Sequence, residues 1–129
     1  MESGKQKIKT FKDLYAWQEG YDLVLIVYYI TKKFPREEIF GLTSQMRRCA
    51  VSITSNIAEG FGRPSYKEKV KFYSIARASL TELQNQILIA NGINYLLIEE
   101  LQKISLQSIK VHKIINGLIK KSKTHIPDS

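Results

Sequence analysis

The sequence predicts an all-α protein whose helices form an antiparallel, up-down-up-down four-helix bundle. Apolar residues recur at steps of three and four in four successive segments, and no segment is predicted to be a strand. Only short connections join these segments, which favours antiparallel neighbours. Because the chain has 129 residues and 43% of them are hydrophobic, we expect one domain with a single core.

The first predicted helix extends from Asp13 to about Phe34, and Pro35 ends it because proline cannot continue a helix. It carries two apolar stripes. The first stripe is Leu14, Trp17, Tyr21, Val24 and Tyr28, and the second is Leu23, Val27, Ile30 and Phe34. One of these stripes is more than a single core requires.

The second predicted helix extends from Leu42 to Glu59, and Gly60 is placed to end it in a left-handed conformation. The stripe expected to face the core is Leu42, Met46, Cys49, Ala50, Ile53 and Ile57. A second stripe consists of Arg48, Ser52, Ser55 and Glu59. The pattern leaves open whether these small polar residues pack against another helix or subunit, bind a ligand, or form the outer face.

The third predicted helix begins after Ser65, because Ser65 and Glu68 have the spacing of a capping box, and it ends near Gly92. Its core stripe is Tyr73, Ala76, Leu80, Leu83, Ile87 and Ala90. The fourth helix is predicted from about Ile98 to Lys121, with Leu101, Ile104, Val111, Ile115 and Leu118 facing the core. Further apolar residues on the third helix (Phe72, Ile75, Leu88 and Ile89) favour burial against other copies of the chain, although a wide core-facing arc is the alternative.

The charge of +8 is unevenly distributed along the sequence. Residues 1–12 form a predicted basic N-terminal tail, residues 13–121 the bundle, and residues 122–129 a C-terminal tail. Within the bundle, residues 41–80 are the basic part, as expected for contact with a polyanion. The candidate phosphate-binding residues are Arg47, Arg48, Arg63, Lys67, Lys71 and Arg77. A solubilising surface charge, or ion pairs with Glu59, Glu82 and the helix ends, are the alternatives.

The sequence contains no recognisable catalytic or metal-binding motif. His112 and His125 lie near no cysteine and in no Glu-x-x-His pair, so we expect no metal and no cofactor. Gly60 and Gly62 lack the preceding strand and the third glycine of a phosphate-binding loop. Cys49 lies on the core stripe and is expected to be a buried, inert thiol.

The expected location is the cytoplasm. A single cysteine excludes an internal disulfide and fits a reducing compartment. The longest apolar run, Leu23 to Ile30, is too short to span a bilayer, and the N-terminal lysines are not followed by the apolar run of a signal peptide.

Short motifs are distributed from residue 11 to about residue 97. They are Phe11 to Leu14 with Trp17 and Gln18; Phe34, Pro35, Glu38 and Phe40 to Leu42; Ser44 to Arg48; Ser52, Ile53, Ser55 to Gly60, Gly62, Arg63 and Ser65; and Ile75 to Arg77 with Ser79, Leu80, Glu82 and Leu83. As a set, they resemble the bacterial four-helix-bundle proteins encoded in intervening sequences of 23S rRNA genes. The residues taken as the structural signature are Ser52, Asn56, Glu59, Gly60, Ser79 and Glu82.

The resemblance implies a cytosolic, non-enzymatic, basic bundle. Accessory proteins of diversity-generating retroelements are related to this family. That relationship implies that the chain forms a ring-shaped homopentamer that binds nucleic acid and a reverse transcriptase. The chain departs from the family pattern at Cys49, which is usually alanine, at Thr54, often proline, and at Ala78, often glycine. None of these departures removes a charge.

The leading hypothesis is an oligomeric, non-enzymatic protein that binds RNA or DNA phosphates with little sequence readout. Contact is expected where residues 60–65 turn, or along the basic start of the third helix. The alternative is a scaffold or accessory protein that binds a protein partner such as a reverse transcriptase and whose basic charge is incidental. A third hypothesis, an enzyme, would need a pocket lined by Glu59, Glu82 and His112 together, and no such pocket is expected.

Overall fold

The computed structural model describes residues 7–127, and within this range the chain forms four α-helices, two 3-10 helices and no strand. The α-helices are α1 (Tyr15–Thr31), α2 (Leu42–Phe61), α3 (Tyr66–Gly92) and α4 (Ile98–Lys123). The 3-10 helices, at Phe11–Asp13 and Arg36–Glu38, precede α1 and α2. The prediction of an all-helical protein with four helices is confirmed.

Helix α1 is shorter than predicted at both ends. It begins at Tyr15 because the residues before it form the separate 3-10 helix Phe11–Asp13. It ends at Thr31 instead of Phe34, and the Phe34 N–H donates to the Thr31 carbonyl at 3.1 Å in a tighter turn. The following Pro35 explains this turn, because a residue before proline is disfavoured in the helical conformation.

Gly60 does not end α2, so the prediction of a left-handed stop at this position is wrong. The helix continues through Gly60 to Phe61, and its C-cap is Gly62 with φ −79°. A Cβ atom at Gly60 would lie 2.7 Å from Tyr73 Cε1 and 3.0 Å from Phe72 Cβ. Glycine is therefore needed here because α2 and α3 approach each other closely.

The predicted limits of α3 are close to those observed, and α4 extends two residues further, to Lys123. Ser65 caps α3, since its Oγ accepts the Glu68 N–H at 3.2 Å. The Ser65 hydroxyl also donates to the Glu68 carboxylate at 3.1 Å. Glu68 therefore binds the Ser65 side chain instead of its backbone N–H, and the box is only half formed.

The core contains most of the apolar residues predicted to face it. On α3 the whole predicted stripe is buried, whereas on α1 the second stripe is buried and Tyr21 and Tyr28 of the first are exposed. The buried hydrophobic residues on the other two helices are Met46, Cys49, Ala50, Ile53 and Ile57 on α2, and Ile104, Val111, Ile115 and Ile119 on α4.

Each helix packs against the next in the chain, and α1 also packs against α4. Ser52 Oγ lies 2.9 Å from Ser79 Oγ between α2 and α3, and Gln86 Nε2 donates to Cys49 Sγ at 3.4 Å between the same helices. An ion pair joins Lys33, just after α1, to Glu100 on α4. In residues 7–127 no helix is long and apolar enough to cross a membrane.

The predicted tails lie partly outside the described residues, which exclude 1–6 and 128–129. Within the described part, Thr10 caps the first 3-10 helix, and Asp13 accepts the backbone N–H groups of Lys9 (2.9 Å) and Thr10 (3.0 Å). At the other end of the chain, the N–H of His125 donates to the Ser122 carbonyl at 3.1 Å. The described part of each predicted tail therefore has backbone hydrogen bonds of its own.

Candidate nucleic-acid interface

Three basic stretches that are distant in sequence meet at one end of the fold. A cavity of about 290 Å³ lies where they meet. It is lined by residues in these stretches or within two positions of them: Ile8 and Leu14; Phe61, Tyr66, Lys69 and Tyr73; and Leu118, Lys121, Ser122 and His125. We call the three stretches, residues 7–13, 59–71 and 120–125, the basic end. Its cations are Lys7, Lys9, Lys12, Arg63, Lys67, Lys69, Lys71, Lys120, Lys121 and Lys123, and its carboxylates are Asp13, Glu59 and Glu68.

The opposite end of the fold has balanced charge. Residues 31–40 meet residues 95–103 there, through the Lys33–Glu100 ion pair and a 2.8 Å hydrogen bond from the Tyr95 hydroxyl to Glu38. The charged residues of these stretches are Lys32, Lys33, Arg36 and Lys103 against Glu37, Glu38, Glu99 and Glu100. With 20 residues in α2, about 30 Å separates the two ends. The net positive charge is therefore concentrated at the basic end.

Lys69 connects the start of α3 with the end of α2. Its ammonium group donates to the Phe61 carbonyl at 2.6 Å and lies 5.4 Å from the centroid of the Phe61 ring. A cation here stabilises the otherwise unpaired carbonyls of the last turn of α2. Burial lowers the pKa of Lys69. Sequence reasoning missed this role, because no spacing rule relates Lys69 to the end of the preceding helix.

Two of the predicted phosphate-binding residues are bound to neighbouring helices. Arg47 Nε donates to Thr31 Oγ1 at 2.9 Å, and its guanidinium carbon lies 4.7 Å from the centroid of the Tyr28 ring. Arg77 donates to Asn116 Oδ1 at 3.0 Å. Both arginines are half-buried and link helices, Arg47 α2 to α1 and Arg77 α3 to α4.

Arg63 lies at the basic end with part of its guanidinium group already in use. One terminal nitrogen pairs with Glu59 Oε2 at 2.7 Å, and the guanidinium carbon is 4.5 Å from the centroid of the Phe72 ring. Its Nε is buried without an acceptor. The side chain nevertheless remains 36% exposed, so another N–H edge is accessible to an anion.

Lys67 and Lys71 are exposed and lie one turn apart on α3, so they share a face of the helix. Arg48 is exposed on α2, in a depression also lined by Tyr28, Thr43 and Val51. The ion pairs within residues 7–127 involve none of these three cations. Arg63, Lys67 and Lys71 thus all lie within residues 59–71 of the basic end, whereas Arg47, Arg48 and Arg77 lie outside it.

The structural signature residues mainly connect α2 with α3. Asn56 Nδ2 donates to the Ser52 carbonyl at 2.8 Å and to Ser52 Oγ at 3.1 Å, and this hydroxyl meets Ser79 across the interface. Gly60 lies against the Tyr73 ring, as described above. The polar stripe on α2 is therefore divided, because Ser52 packs while Arg48, Ser55 and Glu59 remain exposed. Glu82 is exposed on α3.

The three residues that the enzyme hypothesis requires in one pocket, Glu59, Glu82 and His112, do not line a common depression. Glu59 lines a depression with Arg63, Phe11 and Pro64, and neither Glu82 nor His112 lines it. Cys49 is buried, and this burial raises the pKa of its thiol. Within the described part of the chain, no three His, Cys, Asp or Glu side chains are grouped as metal ligands.

Comparison with known proteins assigns the family. The model of the family described as 23S rRNA-intervening sequence protein matches residues 12–117. A similar solved structure is that of a protein with unknown function from the S23 ribosomal protein family of Bacteroides thetaiotaomicron VPI-5482. The two chains are 21% identical, the match covers 84% of this chain and 98% of that one, and the TM-score is 0.75. Neither description names an enzymatic activity, and the search of curated proteins finds no match. The chain therefore belongs to the 23S rRNA-intervening sequence protein family, as its motifs predict.

Proposed function

We propose that this protein is a cytoplasmic, non-enzymatic protein that binds the phosphates of RNA or DNA at the basic end with little sequence readout. The observation that carries this proposal is the meeting of three basic stretches around one cavity, against few carboxylates. Phosphate contacts need cations at the surface and no base-specific geometry, and lysines at such an end meet that need.

The side chains proposed to make the main contacts are Lys67 and Lys71. Both are exposed, share a face of α3 and take part in none of the described ion pairs. Arg63 adds its accessible edge, and exposed Lys120, Lys121 and Lys123 extend the surface across the C-terminus of α4. Arg48 is exposed but lies outside the basic end. Among the exposed cations predicted to bind phosphate, it is therefore proposed to contribute least to the binding.

We further propose that the four helices run up-down-up-down. Contacts between α2 and α3 support an antiparallel arrangement. Cys49, in the first half of α2, contacts Gln86 near the end of α3, and Gly60, near the end of α2, lies next to Tyr73 in the first half of α3. The ion pairs of α1 and α4 support the same arrangement for these two helices. Glu19 pairs with Lys110 at 3.0 Å, whereas Lys33, further along the chain, pairs with the earlier residue Glu100.

The proposed functional unit is a ring-like homo-oligomer, for which the family resemblance suggests a pentamer. Large apolar side chains exposed in the single chain support burial against other copies. The most exposed is Phe40, at 95%, and the others include Tyr29, Leu88, Leu97, Ile98 and Leu106. The same surface supports the alternative role, a scaffold that binds a protein partner such as a reverse transcriptase.

Titration of fluorescently labelled RNA with the purified protein tests the proposed function. The affinity is expected to fall steeply as salt rises and to be similar for two RNAs of unrelated sequence, because the phosphates carry the interaction. Binding that does not change with salt, or no binding at low salt, would contradict the proposal. Co-purification of a protein partner that resists nuclease treatment, without RNA binding, would favour the scaffold.

A further inference from the structure

We propose that the cavity at the basic end holds one unpaired nucleobase, so that the protein prefers single-stranded to double-stranded nucleic acid. This inference rests on the proposed function, because it specifies the class of nucleic acid that the basic end binds.

An aromatic pair forms one wall of the cavity. The rings of Tyr66 and His125 are stacked with centroids 4.6 Å apart and an interplanar angle of 24°. Tyr66 remains 41% exposed, so the pair presents aromatic surface to an incoming ligand. Successive bases of single strands stack on such platforms, and every base can do so because each has a π-face.

The rest of the lining suits a base carried on a phosphate backbone. Leu14, Leu118 and Phe61 supply apolar surface for the faces of a ring, and Lys121 and Lys69 are the cations of the lining. The lining contains no carboxylate that would repel a phosphate. Its volume of about 290 Å³ lies at the lower limit of small-molecule pockets, as suits a single flat ring system.

Tyr73 adds a polar group to this lining. Its side chain is buried, and its hydroxyl is protonated at neutral pH, as that of an ordinary tyrosine with a pKa of 10.0 also is; burial raises the pKa of Tyr73 further, to about 12. A neutral hydroxyl can donate to or accept from the edge of any base. The lining can therefore satisfy a base edge without selecting one base.

Only an unpaired base can use this cavity. In a duplex the base faces are already stacked and the pairing edges are engaged, so a base would first have to leave the helix. Duplexes are still expected to bind through their phosphates to the surrounding lysines. The difference in affinity between a single strand and a duplex therefore reports the contribution of the cavity separately from that of the phosphate contacts.

The test compares a labelled single strand with the duplex of the same sequence, at one low salt concentration. Tyr66→Ala is expected to weaken single-strand binding roughly 10-fold, within the range of about 5- to 150-fold for one stacked base, and duplex binding less than about 2-fold. Tyr66→Phe, which keeps the ring, is expected to bind as the unmodified protein does. Tyr21→Ala is the matched control, because Tyr21 lies outside the basic end, is 45% exposed against 41% for Tyr66, and is likewise stacked on a ring, that of Trp17.

A fluorescent base analogue in the single strand gives a second readout, because stacking on Tyr66 quenches its emission. His125→Ala provides an independent variant if Tyr66→Ala melts earlier than the unmodified protein. Equal affinity of the unmodified protein for the single strand and the duplex would overturn the inference. So would an equal loss of affinity for these two ligands in Tyr66→Ala. If Lys67→Gln still weakens both ligands in that case, the proposed function stands without the base site; if nothing binds at low salt, both fail.

Discussion

Gly60 is the residue on which the close contact of α2 with α3 depends. We expect Gly60→Ala to destabilise the protein by about 1–3 kcal/mol, because the added Cβ would overlap the Tyr73 ring, 2.7 Å away at Cε1. Gly117→Ala is the matched control. It lies in α4 with no atom within 4 Å of the new Cβ, so higher helix propensity should stabilise the protein by about 0.5–1 kcal/mol. Chemical denaturation measures both, and stabilisation by both would contradict the account of Gly60.

Glu38, at the end of the fold opposite the basic end, makes the stability of the protein depend on pH in the acidic range. Its carboxylate accepts the Leu42 N–H at 2.9 Å and the Tyr95 hydroxyl at 2.8 Å. These bonds, chiefly that of Leu42, hold the pKa of Glu38 below its ordinary 4.5. A lowered folded-state pKa means that the stabilisation is complete above pH 4.5 and is lost as pH falls through the folded-state pKa.

The expected result is a free energy of unfolding that declines on acidification below pH 4.5, and declines less in Glu38→Gln. Part of the decline remains in this variant, because three other carboxylates, those of Asp13, Glu19 and Glu100, also have lowered pKa values. Glu37→Gln is the control, because Glu37 is exposed and forms no side-chain bond within the described residues. An identical pH dependence in Glu38→Gln and the unmodified protein would rule out the assigned role.

At the scale of elements, the hydroxyl contact of Ser52 with Ser79 couples α2 to α3. A double-mutant cycle with Ser52→Ala and Ser79→Ala should give a coupling energy of about 0.5–1.5 kcal/mol, since the two hydroxyls form one hydrogen bond. Ser55→Ala on the same polar stripe is exposed and should change stability by less than about 0.5 kcal/mol. Strictly additive single variants would show that the hydroxyl pair contributes nothing.

The core faces of the helices could be predicted because apolar spacing records them directly. The stripe from Tyr73 to Ala90 is buried as a whole. The ends of the helices and the roles of glycines were harder to predict from the sequence, because they depend on residues elsewhere in the chain. Gly60 has the local context of a helix stop, and only the Tyr73 ring on the neighbouring helix shows that glycine is needed there for close packing instead.

At the scale of the whole molecule, the basic site could be predicted only in part. Lys67, Lys71 and Arg63 lie in the expected turn and helix start, whereas Arg47 and Arg77 face partners on other helices. No local pattern predicts that residues 7–13 and 120–125 meet the same turn, because this requires the packing of α1 and α4. Their lysines, expected in or beside solvated tails, enlarge the surface that the middle of the sequence predicts.

The association state is a second prediction for the whole molecule. Light scattering should give a mass that is a multiple of the chain mass of 14.9 kDa, because apolar side chains as exposed as Phe40 and Leu106 are costly in water. The expected multiple is five, which the family resemblance alone suggests. Phe40→Ser is expected to weaken association while preserving the helical circular dichroism. A monomer at all concentrations would contradict the ring-like assembly.

The central claim is that nucleic acid binds at the basic end, and a pair of charge-matched variants tests its location. Lys67→Gln with Lys71→Gln removes two exposed cations from the basic end, whereas Lys32→Gln with Lys103→Gln removes two from the opposite end. The measurement is the RNA affinity of each double variant across a salt series. We expect the first pair to weaken binding to all sequences and to reduce the salt slope by about 0.7–0.9 for each phosphate that the protein no longer neutralises, and the second pair to leave both nearly unchanged. Equal effects of the two pairs would show that net charge alone drives binding and would contradict the assigned site.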